Sequence, residues 1–292
     1  MSRVNNAFLA LAIAILGLCG CSRETATSED LLVVVTDTSA AELFCTCSPD
    51  LPKRYEALRA AMSRTLGREA RFAYMTDFVF DSLAEEQAQQ LRGAHLIIGK
   101  CTAVEYVSAR LGIKSECVGV LTRTNGSPEV NGVWVAKAES GARSIGDLAG
   151  KRISVGPEWQ AEKHGDALRQ LAAQKIQPAK VTERLLCKEA LADVVDGEAD
   201  AAVISDYASA LLGNKEVTGG VGLRVVGQTA GRPYVGVFAT GRLSGSDRRA
   251  VSQFLLRGGA SDAELLEALK SKRGFVPLSA GKGAMGVAGK GH

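Results

Sequence analysis

Aromatic residues make up only 5% of this 292-residue chain, and its formal net charge is just +3. Weak, evenly spread positive charge with few rings to stack on bases argues against a nucleic-acid surface. Histidine is scarcer still, with three copies, none of them in a His-Glu-x-x-His arrangement. The chain carries no nucleophile elbow around a serine. Gly281-Lys282-Gly283 lacks both a preceding strand and phosphate-loop spacing. Glu158, Glu162 and His164 share one loop without a visible partner, so no acid–base set assembles. These absences point away from an enzyme, and no cofactor is expected. The longest apolar run at the start, Ala7–Leu18, is too short to span a bilayer comfortably.

What is present is a globular composition, 46% hydrophobic and 23% charged, long enough for one large domain or two medium ones. The start reads as an export signal: Arg3, then the apolar run, then Leu18-Cys19-Gly20-Cys21 followed by polar residues. That ending resembles a bacterial lipobox, which implies cleavage before Cys21 and lipid on its sulfur. An uncleaved anchor or ordinary signal cleavage would give the same run. Residues 1–20 are thus the expected signal peptide and 21–29 a lipid-anchored tether. Of seven cysteines, Cys19 would leave with the signal and Cys21 would take lipid. The remaining five are an odd number for an oxidising compartment.

The body alternates strands and helices. Leu31–Val35 is an unbroken apolar run and predicts a buried strand. Ser48-Pro49 offers a helix start, and Leu51, Tyr55, Leu58, Met62 and Leu66 fall on one helical stripe ended by Gly67. Strands are predicted at 71–75, 94–98, 116–123, 132–138, 152–156, 180–187, within 198–207, and at 223–226 and 234–239. Helices are predicted between them at 81–91, 102–110, 162–174 and 188–196. This βα series predicts parallel sheets with ligand-facing tips at the strands' carboxyl ends. Residues 92–99 and 198–207 echo each other as turn, apolar strand and polar tip, which suits two facing α/β lobes. The tail, 277–292, is rich in Gly, Ala and Lys with nothing to bury, and is read as disordered.

Ser144–Pro157 reads S-I-x-D-L-x-G-K-R-I-x-V-G-P, and Gly197–Ala201 reads G-x-x-D-A. Both motifs resemble the periplasmic solute-binding proteins of phosphate and phosphonate ABC transporters. The resemblance spans roughly residues 43–275. It implies a two-lobed periplasmic-binding-protein-like (type 2) α/β fold, each lobe a mixed, mostly parallel sheet flanked by helices. The expected lobes are 30–126 plus 231–276 and 127–230. The implied function is capture of a small anion between the lobes for an ABC permease. The implied setting is the periplasmic face of a membrane, with the protein lipid-anchored and monomeric. A ligand-sensing domain without a transporter would share this fold.

Candidate ligand contacts follow from the strand tips. Thr76, Lys100, Cys101, Thr102, Ser205, Asp206 and Tyr207 sit at or beside the predicted tips, and Glu158, Trp159 and His164 join them from the loop and helix after the second-lobe motif. Thr102 and Ser205 stand where a strand becomes a helix, and Lys100 adds a full charge to a helix N-terminus. Plain N-capping would place the same hydroxyls there. The loop after the second motif carries Glu158, Trp159, Gln160 and Glu162, where the resembled family has small hydroxyl residues and glycine. Carboxylates there oppose an anion, and Trp159 suits stacking on an organic cation or packing as a lid. Cys45, Cys47 and Cys101 with His164 would suit a soft metal if they shared the cleft. The alternative is a disulfide joining Cys101 to Cys45 or Cys47. Cys117 and Cys187 fall in predicted apolar strands and read as packed thiols or a buried bridge. His95 precedes an apolar strand and reads as structural.

Overall fold

A computed structural model describes residues 30–40, 50–75, 82–258 and 262–279. In chain order the first strands are β1 (Leu31–Thr36), β2 (Ala70–Met75), β3 (Leu96–Lys100), β4 (Ser115–Leu121), β5 (Glu129–Val130), β6 (Gly132–Lys137) and β7 (Arg152–Val155). They are followed by β8 (Lys180–Glu183), β9 (Ala201–Ser205), β10 (Leu223–Gln228), β11 (Arg232–Pro233), β12 (Val235–Thr240) and β13 (Phe275–Val276). The helices used below are α1 (Leu51–Leu66), α2 (Glu85–Gly93), α3 (Cys101–Leu111), α4 (Gly165–Ala173), α5 (Cys187–Asp196), α6 (Lys215–Thr218), α7 (Gly245–Gln253) and α8 (Ala263–Ala268).

Two sheets divide the strands. The first runs β13-β4-β12-β3-β1-β2, the second β10-β6-β9-β7-β8. Each is mixed. β1 pairs parallel with β2 and β3, whereas β12 runs antiparallel to both β3 and β4. In the second sheet β7 is parallel to β8 and β9, and β6 is antiparallel to β9 and β10. The reversals have a topological cause: a strand that arrives from the other sheet, as β6 and β12 do, enters without a crossover helix. The two passages lie side by side, where β5 and β11 pair antiparallel. Asn131 Nδ2 donates to the Thr229 carbonyl at 2.8 Å, and Tyr234 N to that of Pro128 at 2.8 Å.

Continuous apolar runs are needed because both faces of each sheet are covered. Val33 and Val35 join Tyr55, Leu58 and Met62 of α1, with Val251 of α7 and Leu265 of α8. Val34, one residue out of phase, faces the opposite cluster with Ile97, Leu91 of α2 and Val104 and Val107 of α3. Val133 and Val135 of β6 pack with Leu191 and Val194 of α5, while Trp134 and Ala136 face Leu171 of α4. Each such large side chain fully buried contributes about 1.5–3 kcal/mol.

Several local expectations shift. The cap of α1 is Asp50, whose carboxylate accepts from Lys53 N at 3.1 Å, instead of Ser48, and Gly67 ends the helix at φ 63. Cys187 opens α5 instead of lying in a strand, because β8 stops at Glu183. The predicted helix from residue 162 is split: a 3-10 turn at Ala161–Lys163 precedes α4, with His164 between them at φ −123, ψ −88. His95 is structural, its Nδ1 accepting from Leu32 N at 3.1 Å. Thr76, Cys45, Cys47, Cys21 and the signal and tether lie outside the described residues, as does the tail beyond Ser279.

Candidate functional site

β3 ends in Lys100, and α3 starts on the next residue. Close packing fixes this tip. A Cβ on Gly99 would overlap the Thr36 hydroxyl, so only glycine lets β1 and β3 approach there. Lys100 N donates to Thr38 Oγ1 at 3.3 Å, and Cys101 N to the Tyr234 carbonyl at 2.9 Å. Gly112, at φ 66, closes α3 after three turns, long enough for a partial positive charge at its start. Thr102 in that first turn is 6% exposed, yet its Oγ1 has no hydrogen-bond partner. Ser39, fully buried in the 3-10 turn after β1, likewise leaves its Oγ unpartnered.

The Lys100 ammonium is fully buried and reaches across to the second lobe. It donates to Gln160 Oε1 at 3.1 Å, approaches Ser205 Oγ at 3.5 Å and Tyr207 OH at 3.4 Å, and forms an ion pair with Glu162. It also stands 5.4 Å from the centre of the Tyr207 ring. Ser205 Oγ donates to Glu162 Oε1 at 2.9 Å, and Glu162 Oε2 is buried without a partner. Burial alone would raise the Glu162 pKa. The charges of Lys100 and Lys163, with hydrogen bonds from Lys100 and Ser205, outweigh it and leave the carboxyl below its ordinary range.

Trp159, from the same second-lobe loop, is 1% exposed and belongs to the first lobe's apolar cluster with Val34, Ile97, Cys101 and Val104. It is therefore a packed lid residue and is not free to stack on a cation. Glu158 points to solvent. Asp206 turns toward the passages between the sheets: its carboxylate accepts from Arg123 Nη1 at 2.8 Å, and its N donates to the Asn131 carbonyl at 2.8 Å. Burial raises the Asp206 pKa in spite of Arg123. Tyr207 meets Tyr234 edge to face at 6.2 Å, and Arg123 lies over both rings.

Of the proposed sulfur and imidazole set, Cys45 and Cys47 lie outside the described residues, and the other two members, Cys101 and His164, turn to different partners. His164 Nδ1 bonds to the Gly156 carbonyl at 2.7 Å and lies 3.5 Å from Glu183, both in the second lobe. Cys101 and Cys117 are free thiols, and Cys187 forms no disulfide with either. Cys101 donates to Cys117, and the two sulfurs close over Gly236, where a Cβ would sit 2.9 and 3.1 Å from them. Burial pushes the Cys101 thiol well up. Among the described residues no three His, Cys, Asp or Glu side chains form a metal-sized cluster.

Thus Lys100, Ser205 and Tyr207 come together, Cys101 and Thr102 flank them, and Glu158, His164 and Asp206 face elsewhere. Sequence reasoning left Gln160 and Glu162 off its contacts, although both share the tip loop with Trp159. The three-residue step from Trp159 to Glu162 was the available signal, because it returns to the same side of a tight turn.

Residues 46–281 match the family described as ABC transporter, phosphonate, periplasmic substrate-binding protein. This chain belongs to that family. Its members are substrate-binding components of transporters, working in the periplasm. No curated protein sequence matches the chain. Solved structures share the fold at low identity. PhnD1 from Prochlorococcus marinus, in complex with methylphosphonate, is 14% identical with a TM-score of 0.62, covering 86% of this chain and 93% of its own. A binding component of an ABC phosphonate transporter from Pseudomonas aeruginosa is 13% identical, TM-score 0.58, covering 84% and 80%. A Xanthomonas citri protein bound to ATP is 14% identical, TM-score 0.64, covering 87% and 92%. The family's two-lobed fold is the one described above, with a mixed sheet in each lobe.

Proposed function

We propose that this chain captures a small phosphonate-like anion between its lobes, 30–126 plus 231–276 and 127–230, and presents it to an ABC permease. The carrying observation is Lys100: one buried cation, at the start of a regular helix, facing hydroxyls of the other lobe. Thr102 Oγ1 and Lys100 Nζ, with the first turn of α3, supply donors to the anion from the first lobe. Ser205 and Tyr207 supply hydroxyls from the second. Contacts to both lobes are what would let a ligand favour closure. The methylphosphonate held by PhnD1 suits this chemistry. The protein is a monomer tethered by lipid on Cys21, and it binds without catalysis. Isothermal titration with methylphosphonate, on protein unfolded and refolded to strip bound ligand, tests the reading. One-to-one binding is expected; no heat with methylphosphonate, phosphite or phosphate overturns it.

A further inference from the structure

The cation at the centre of the site is already paired with a carboxylate of the chain itself. Lys100 and Glu162 come from opposite lobes, and neither side chain is exposed. The pairing is built in by the surroundings of Glu162. Its carbonyl accepts from Thr229 Oγ1 at 3.0 Å, and Thr229 Oγ1 also accepts from Gly132 N at 2.8 Å. A Cβ on Gly132 would overlap that carbonyl, so glycine is required where the loop rests on β6. The Glu162 carboxylate accepts from Ser205 at 2.9 Å. Three residues earlier, Trp159 is buried in the first lobe's core, and between them Gln160 accepts from Lys100. One loop of the second lobe thus delivers an apolar anchor, an amide and a carboxylate to the first.

We infer that Glu162 is an internal competitor for the ligand anion, and that with Trp159 it latches the lobes together. The inference rests on the reading of Lys100 as the anion's partner. Lys100 and Glu162 cancel each other's charge. The neighbouring acids are also matched, Asp206 by Arg123 and Asp166 by Arg169 and Arg232, and Lys163, the other buried cation whose charge reaches Glu162, points its ammonium at the Leu185 carbonyl. An anion brought to Lys100 beside an unmoved Glu162 would put two buried negative charges on one ammonium. Binding therefore exchanges one carboxylate for another anion: Glu162 leaves Lys100 and Ser205 as the ligand takes them. The affinity observed is the ligand's advantage over Glu162.

Two measurements on E162Q and W159A test this. Titration with methylphosphonate should show E162Q binding about tenfold or more tightly than wild type, since the competing charge is gone. Small-angle scattering without added anion should give both variants a larger radius of gyration than wild type, reduced again by methylphosphonate. Equal or weaker binding by E162Q, with an unchanged radius, overturns the inference. W159A leaves Lys100 and Glu162 in place, so it supplies the scattering result if E162Q fails to fold. If no protein takes up methylphosphonate or phosphate, the anion reading falls by itself and scattering alone decides the latch. A larger radius in the variants then keeps it, and an unchanged radius removes it.

Discussion

The two strand tips that look alike in the sequence behave differently in the fold. In the first lobe β3 runs straight into α3, a regular helix with a cation at its start and a hydroxyl left unpartnered. In the second lobe β9 runs into a 3-10 helix, Asp206–Gly213, opened by an acid that turns away to Arg123. One tip offers donors in excess, and the other, with the loop at 157–163, offers acceptors that use some of them up. Similar patterns of turn, strand and polar tip therefore give complementary halves of a site instead of two equal ones. The asymmetry lives in the short elements after each strand.

The sharpest way to break this comparison is at Lys100. Lys100→Met should abolish anion binding in titration and lower unfolding stability by about 3–5 kcal/mol, because it leaves Glu162 buried without its counterion. A loss below about 1 kcal/mol in denaturant unfolding would mean the two halves do not depend on the pair. Next is Gly132→Ala, which pushes a methyl into the Glu162 carbonyl. It should cost about 1–3 kcal/mol by the same unfolding measurement. Thr102→Val and Ser205→Ala then separate the tips. Ser205→Ala removes a hydrogen bond to Glu162 and should cost about 1 kcal/mol. Thr102→Val removes an unpartnered hydroxyl, so stability should stay within about 0.5 kcal/mol while methylphosphonate affinity falls about tenfold.

Acid gives the smallest effect. In spite of burial, the folded pKa of Glu162 is depressed below the ordinary glutamate range by Lys100, Lys163 and Ser205. Its contribution is therefore fully present above about pH 4.5 and is lost as pH falls through the depressed folded value. Unfolding followed across that window should show a slope in wild type that is shallower in E162Q.

Much of the fold was legible because it rests on local patterns. The apolar run at 31–35, the α1 stripe and the Gly67 stop each follow from periodicity and backbone preference. The site was legible only in outline. Strand ends point to Lys100 and Ser205, but nothing in the local pattern says that Glu162 turns inward while Glu158 faces water. That choice is made by Gly132, Thr229 and Ser205, which lie between 30 and 67 residues away in sequence. Within the Cys–His set, the separation of His164 from Cys101 has a related cause. Spacing placed His164 at the cleft, but the kinked residue before α4 turns its ring to Gly156.

The measurement that bears most directly on the central claim is a crystal structure of the protein grown with methylphosphonate. The expected result is phosphonyl oxygens bonded to Lys100 Nζ and Thr102 Oγ1, with the Glu162 carboxylate moved off Lys100. Methylphosphonate bound elsewhere, with the Lys100–Glu162 pair intact, would contradict it.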